Sequence, residues 1–427
     1  MSNRTVAAMI LSLTLGAASF PRAAAGQLPS ASTATLATAN NYTALARGFT
    51  AIALNPAGLG MPGNPGFSLA LLPVQARVGL TAISLSEIDS FGGHALPRAT
   101  KDAWLQSVIA AGGLTARAGA AATAFALSAG PVGLQVSTVG EASSSLGPDA
   151  FEPALFGNAG RTGTTRNMTL AGTEVNGWGA TTVALALGIP LPETKGGSLS
   201  AGATLKYTIG HAVAAARDDG SAITASPILI DLALPSIAPD SFNLNNGTGM
   251  GLDIGVAWQD STWAVSAAVQ NVFHTFQWNL DAFAVRPGTV LADNASVTTD
   301  FDAVPVASAP LTLVNELLAQ SFKPVVNLGV GYRATSRIDL TADFRHDSGE
   351  ALVYGEGSHI GMGVEFRVVP FLPLRGGVSR VSGGAVHLAA GFGLEMGPLN
   401  LSAAYLTEKN SAGQFRAASV ALSFGHN

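Results

Sequence analysis

From residue 323 to its end the chain alternates apolar and polar residues with a period of two, and no other feature limits its fold as tightly. Val326, Leu328, Val330 and Tyr332 interleave with Asn327, Gly329, Gly331 and Arg333. Beyond Ala334-Thr335-Ser336, Ile338, Leu340, Ala342 and Phe344 interleave with Asp339, Thr341, Asp343 and Arg345. The pattern recurs in Ile360 to Val368 and again in Val386 to Met396, where His387 and Glu395 fall on the polar side. Successive side chains of a strand point to opposite faces, so each segment has one greasy face and one polar face. At about ten residues each, these segments match the length of a tilted strand crossing a bilayer.

A soluble sandwich shows the same alternation, and composition separates the two cases. Only 11% of the 427 residues are charged, against about a quarter in soluble domains, and the mean hydropathy is +0.34. A membrane is the simplest place to hide so much uncharged surface. Residues 1–25 read as a secretory signal peptide: a basic start through Arg4, an apolar stretch from Val6 to Phe20, and the small-residue end Ala23-Ala24-Ala25. A transmembrane helix needs about 20 unbroken apolar residues. The best later candidate, residues 118–140, carries Gly130-Pro131 and Gly133 near its middle and reads as two strands around a tight turn. A spanning chain without helices must close into a barrel, because every backbone N–H and C=O needs a partner in hydrocarbon.

The expected fold is therefore all-β, a closed antiparallel transmembrane β-barrel. Strands are expected near 67–85, 115–128, 131–140, 176–190, 197–211, 248–258, 262–276, 323–333, 337–346, 359–368, 371–380, 385–396, 399–408 and 413–424, about fourteen in all. Short connections alternate with mostly longer ones, and outer-membrane barrels have short periplasmic turns, long external loops and an even strand count. This places the chain in the outer membrane of a diderm bacterium, with the barrel spanning 66–427 and a separate segment at 26–65. Trp258 and Trp263 flank one short turn on the greasy register, where an aromatic girdle belongs. The last strand alternates through Ala418, Val420, Leu422 and Phe424, as a terminal strand read by barrel-assembly machinery does.

The N-terminal segment contains Ala44-Leu45-Ala46-Arg47-Gly48 and Asn55-Pro56-Ala57-Gly58-Leu59. With the signal peptide before it and fourteen strands after it, the chain resembles the outer-membrane long-chain fatty-acid and hydrocarbon transporter family (FadL-like). It is similar, less specifically, to the shuttle barrel of type IX secretion. The resemblance implies that residues 26–65 fold into the lumen as a plug, with Asn55, Pro56, Ala57 and Gly58 in the hatch. It also implies a kinked third strand with a lateral exit, here near Gly133 and Gly140, since strand glycines weaken a ladder. The residues themselves agree with a plug: 33–53 is rich in Ala and Thr with almost no charge, and the Asn-Pro step breaks any helix there.

On the C-terminal strands Arg333, Asp339, Asp343, Arg345, Glu365, Arg367, His387 and Glu395 face the lumen by register. Their mixed signs suit an ion-pair ladder around a plug better than a selective pore, which shows rings of one sign. Helical candidates at 101–109, 148–157 and 310–320 fall in the external loops, either to collect an apolar ligand or to cap one another. Catalytic signatures are absent: no Gly-x-Ser-x-Gly, no phosphate-binding loop, no His-Glu-x-x-His. With no Cys there is no thiol or Cys-ligated metal, and no cofactor is implied. A formal charge of -5 argues against nucleic acid. The expected partners are outer-membrane lipid, a hydrophobic small-molecule ligand and the assembly machinery. The expected function is passage of small hydrophobic molecules, with a non-transporting scaffold or secretion-associated barrel as the alternative.

Overall fold

Fourteen strands follow one another around a closed wall: β1 (Phe67–Thr81), β2 (Leu114–Ala129), β3 (Val132–Leu146), β4 (Glu174–Thr194), β5 (Gly197–Arg217), β6 (Gly247–Gln259), β7 (Trp263–His274), β8 (Val325–Thr335), β9 (Ile338–Asp347), β10 (His359–Val369), β11 (Leu372–Val381), β12 (Val386–Met396), β13 (Leu399–Asn410) and β14 (Gly413–His426). Each pairs antiparallel with its neighbour, and β1 closes the barrel by pairing with both β2 and β14. The computed structural model describes residues 28–426 except 92–93, 160, 195, 320–321, 348–357, 383 and 411–412. The expected signal peptide at 1–25 lies outside the described residues.

The period-two register explains the wall. Val74, Leu205, Met362 and Leu388 point outward and are exposed, as lipid-facing residues must be, while Thr341, Glu365, Ser379 and His387 point inward and are buried. Five tight turns, at Gly130-Pro131, 260–262, Ser336-Arg337, Pro370-Phe371 and Gly397-Pro398, and the turn around Gly196 lie at one end of the barrel, which is the periplasmic end by the usual asymmetry. Several strands run longer than alternation predicts, notably β4 and β5 at 21 residues each. The extra length rises past the membrane into the external loops: Val213 and Ala215 of β5 join a buried cluster with Phe276, Trp278, Phe283, Leu313, Leu317 and Phe322.

Among the described residues, six α-helices accompany the strands: α1 (Thr33–Ala37), α2 (Phe49–Leu54), α3 (Leu85–Ser90), α4 (Arg98–Ala111), α5 (Pro148–Phe156) and α6 (Leu311–Ala319). Of these, α4 and α5 pack together outside the barrel around Trp104, Leu105, Val108 and Phe151. Leu313 and Leu317 bury α6 in the loop cluster. Outside the barrel, strands at Met168–Thr169, Ala222–Ala225, Ile228–Ala233, Thr289–Ala292 and Val297–Asp300 form a second, five-stranded sheet. The apolar run from Ile228 thus belongs to an external sheet and not to the wall.

Candidate functional site

Residues 28–65 are mostly buried and pack against inward-facing residues of the wall strands. Ser32 caps α1 by accepting from the Ala34 N–H, and Asn55 caps the 3-10 turn Pro56–Gly60 by accepting from the Ala57 N–H. The segment has few charges to desolvate, and its backbone groups find partners on the wall. Ile52 O accepts from Thr204 Oγ1 (3.1 Å) and Ala53 O from Gln270 Nε2 (2.6 Å). Asn55 Nδ2 donates to Val256 O (3.1 Å), and Ser200 donates to Ala57 O. Pro56 presses its backbone against Gly202, and Gly58 lies so close to Ala46 O that a Cβ would collide. The four residues expected in the hatch, Asn55, Pro56, Ala57 and Gly58, are thus buried against β4, β5 and β6.

The inward charges of β8–β12 sit on the lumen side and pair with one another. Arg333 meets Asp339 (3.5 Å). Glu365 binds Arg375 (2.7 Å) and Arg367 (2.9 Å), and Arg367 reaches Glu395 (3.6 Å). Arg345 lies 3.9 Å from Asp347, and His387 Nε2 lies 2.7 Å from Glu408. Asp343 has a different partner: one carboxylate oxygen accepts from the backbone N–H of Tyr42 (2.9 Å) and of Thr43 (2.8 Å). Trp263 is exposed on the outer face, 4.6 Å from the Tyr332 ring, and Trp258 lies half-buried over Gly197 at the same end.

At Gly133 and Gly140 the wall is closed, which corrects the expectation of a lateral exit there. Gly133 pairs with Ser128 and Ala186, Gly140 with Ala120 and Gly179, and the β3–β4 ladder runs without a shift. The physical reason for Gly133 is packing: a Cβ there would strike Ile52 of α2. The wall is irregular in several places: β1, where both ladders skip Leu72-Pro73 and Leu72 has a φ of 49°, and also Thr123/Phe125 of the β2–β3 pair, Gly179/Ala180 of β4–β5 and Leu252/Ile254 of β6–β7.

Alternation over the C-terminal half missed several inward groups. On the outer side of the N-terminal segment lies a cavity of about 90 Å³. Leu28, Leu36, Leu54, Leu406 and Phe415 make its apolar lining, and Gln75, Arg77, Gln270, Asn327, His359 and Glu408 its polar lining. Arg77 faces Glu141 at 3.9 Å and stacks over Phe415. Lys206 is fully buried in an ion pair with Asp253 and donates to Asn271. The signal for Lys206 was present, since it shares its parity with the inward Thr204 and Thr208.

A family model described as F plasmid transfer operon, TraF, protein matches residues 99–303. No curated protein matches the sequence. Among solved structures, the chain is similar to a Pseudomonas aeruginosa FadL homologue at 13% identity, with 94% of this chain and 99% of that one covered and a TM-score of 0.50. It is similar also to a TodX monoaromatic hydrocarbon channel deltaS2 mutant at 10% identity, covering 92% and 98% of the two chains with a TM-score of 0.50. At these identities the likeness is one of fold: a closed fourteen-stranded barrel preceded by a helical segment, the architecture of the outer-membrane barrels it resembles.

Proposed function

We propose that this outer-membrane barrel passes small hydrophobic molecules. The observation that carries the reading is the cavity beside the N-terminal segment, where Leu28, Leu36, Leu54, Leu406 and Phe415 share the lining with polar and charged groups such as Arg77, Arg345 and Glu408. A solute gains about 0.8 kcal/mol for each CH₂ it buries there, whereas a fully polar lumen would offer it nothing. The likeness in fold to a FadL homologue and to a hydrocarbon channel supports the same reading. In it, residues 28–65 are the hatch, and the ladder from Arg333 to Glu395 braces the wall below.

The test is uptake of a radiolabelled long-chain alkane, alkylbenzene or fatty acid by cells with and without the protein. Uptake clearly above the empty control supports passage. Equal uptake rejects it in favour of a second reading, a scaffold, which one observation favours. The five-stranded external sheet has an apolar face, including Ile223, Ile228, Ile230 and Val297, of which Ile228 and Val297 are well exposed. All five strands of that sheet fall within the residues matched by the transfer-operon family.

A further inference from the structure

We propose that the outer rim of β11–β14 is a site on the lipid face for the phosphates of an outer-leaflet glycolipid, the acylated glucosamine disaccharide lipid A. The inference rests on the barrel's place in the outer membrane and is independent of the passage reading.

Strand register supplies the observation. On the outer half of the lipid face, among the described residues of the wall strands, the positions held by Lys, Arg, Asp or Glu are Arg380 of β11, Lys409 of β13 and Arg416 of β14. All are basic. Arg380 pairs across with Ile360 and Val386, both exposed on the lipid side, and Val386 pairs in turn with Lys409. Lys409 pairs with Gln414, and Arg416 follows one step further down the same face of β14, opposite Thr407. Beyond β14 the row through Arg416 continues as Val78, Ala118 and Ala142, without charge. The basic rim thus runs from β11 to β14 and stops at β1.

A cation on the lipid face is costly at the bilayer midplane and cheap only near the interface. Counted up from the turns at Pro370-Phe371 and Gly397-Pro398, Arg380 and Lys409 stand about one crossing length along their strands, roughly 9–11 residues. That places them at the outer interface. A lone basic side chain there reaches water by itself, but like charges on neighbouring strands repel, and protein carboxylates do little to relieve them. Arg416 Nη1 lies 3.8 Å from Asp89 Oδ2, a loose pair with an exposed carboxylate, and its Nη2 donates to Gln414 Oε1 (3.3 Å). Arg380 is exposed and, among the described residues, has neither a hydrogen bond nor an ion pair. The rim is complementary to anions held in the plane of the membrane.

Lipid A fits this arrangement. Arg380 and Arg416 stand on strands three steps apart, about 14 Å at the spacing of paired strands. Lipid A carries one phosphate at each end of its disaccharide, so a single molecule can lie across the rim with a guanidinium at either end. The planar fork of arginine donors matches phosphate oxygens. Below the rim, Met362, Val378, Leu388, Tyr405 and Val420 are exposed and give the acyl chains an apolar face to lie on.

The test titrates the intact barrel, purified in a non-ionic detergent and stripped of copurifying lipid, with lipid A carrying both phosphates, with its dephosphorylated form and with phosphatidylglycerol, reading bound lipid by native mass spectrometry. We expect the phosphorylated form to bind at least about tenfold more tightly than the dephosphorylated one, as charge-assisted bonds to phosphate require. A variant carrying Arg380→Gln, Lys409→Gln and Arg416→Gln should lose that preference while remaining a folded barrel by circular dichroism. Equal binding of the two forms by the unaltered protein overturns the proposal, and this comparison stands even where the variant fails to fold. A folded variant that keeps the preference overturns the assignment to these residues, and phosphatidylglycerol bound as tightly as lipid A overturns the assignment to the disaccharide.

Discussion

Val74 and Gln75 show how much a single residue's register decides. Val74 faces lipid and is 43% exposed, while Gln75 lines the cavity. An arginine on the lipid face near the membrane midplane costs about 2–4 kcal/mol, so Val74→Arg should lower refolding stability by that order and Gln75→Arg by clearly less. Equal losses in a denaturant titration would mean that β1 is one residue out of register. Gly202 illustrates close approach: its Cα carries the backbone of Pro56, and Gly202→Val should cost about 1–3 kcal/mol as an overpacked contact. The predicted readout is a lower unfolding temperature together with faster entry of a large polar antibiotic through the loosened lumen. At this scale the sequence was legible wherever parity sufficed, as for Asp343 and Glu365. It was silent on partners, because what meets Asp343 is the backbone of Tyr42 and Thr43, some 300 positions away.

All fourteen strands could be read from sequence, because a barrel strand announces itself by local alternation and by the turn that ends it. The β6–β7 turn is one such local device. Asp260 accepts from the N–H groups of Thr262 (2.7 Å) and Trp263 (2.6 Å), and these bonds hold its carboxyl below the usual carboxylate range. A depressed folded value means that the contribution to stability is present above the unfolded carboxylate range and is lost as pH falls through the lower folded value. Exchange of the Trp263 amide should therefore stay slow at neutral pH and speed up in that acidic window. In Asp260→Ala it should be fast throughout; a wild type insensitive to acid would contradict the cap. The external elements were less legible. Helices α4, α5 and α6 show in apolar spacing, but the five-stranded sheet joins strands from three separate loops, and no local pattern records such pairing. The glycines of β3 misled for a related reason: a missing side chain reads as a weak ladder, whereas Gly133 makes room for Ile52 from a distant part of the chain.

For the whole molecule, charge-poor composition and alternation together required a closed wall in lipid, and the wall closes through β1 and β14. What fills the lumen was legible only in outline. The low charge of residues 28–65 says that they are buried, while their individual partners on the wall depend on the register of many distant strands. The account's central claim is that apolar molecules occupy the cavity beside residues 28–40. Its most direct test is a crystal structure of the barrel soaked with a brominated alkane or alkylbenzene, using the anomalous signal of bromine to locate it. The account predicts bromine among Leu36, Leu406 and Phe415. Bromine confined to the outer surface of the barrel, with none in the lumen, would contradict it.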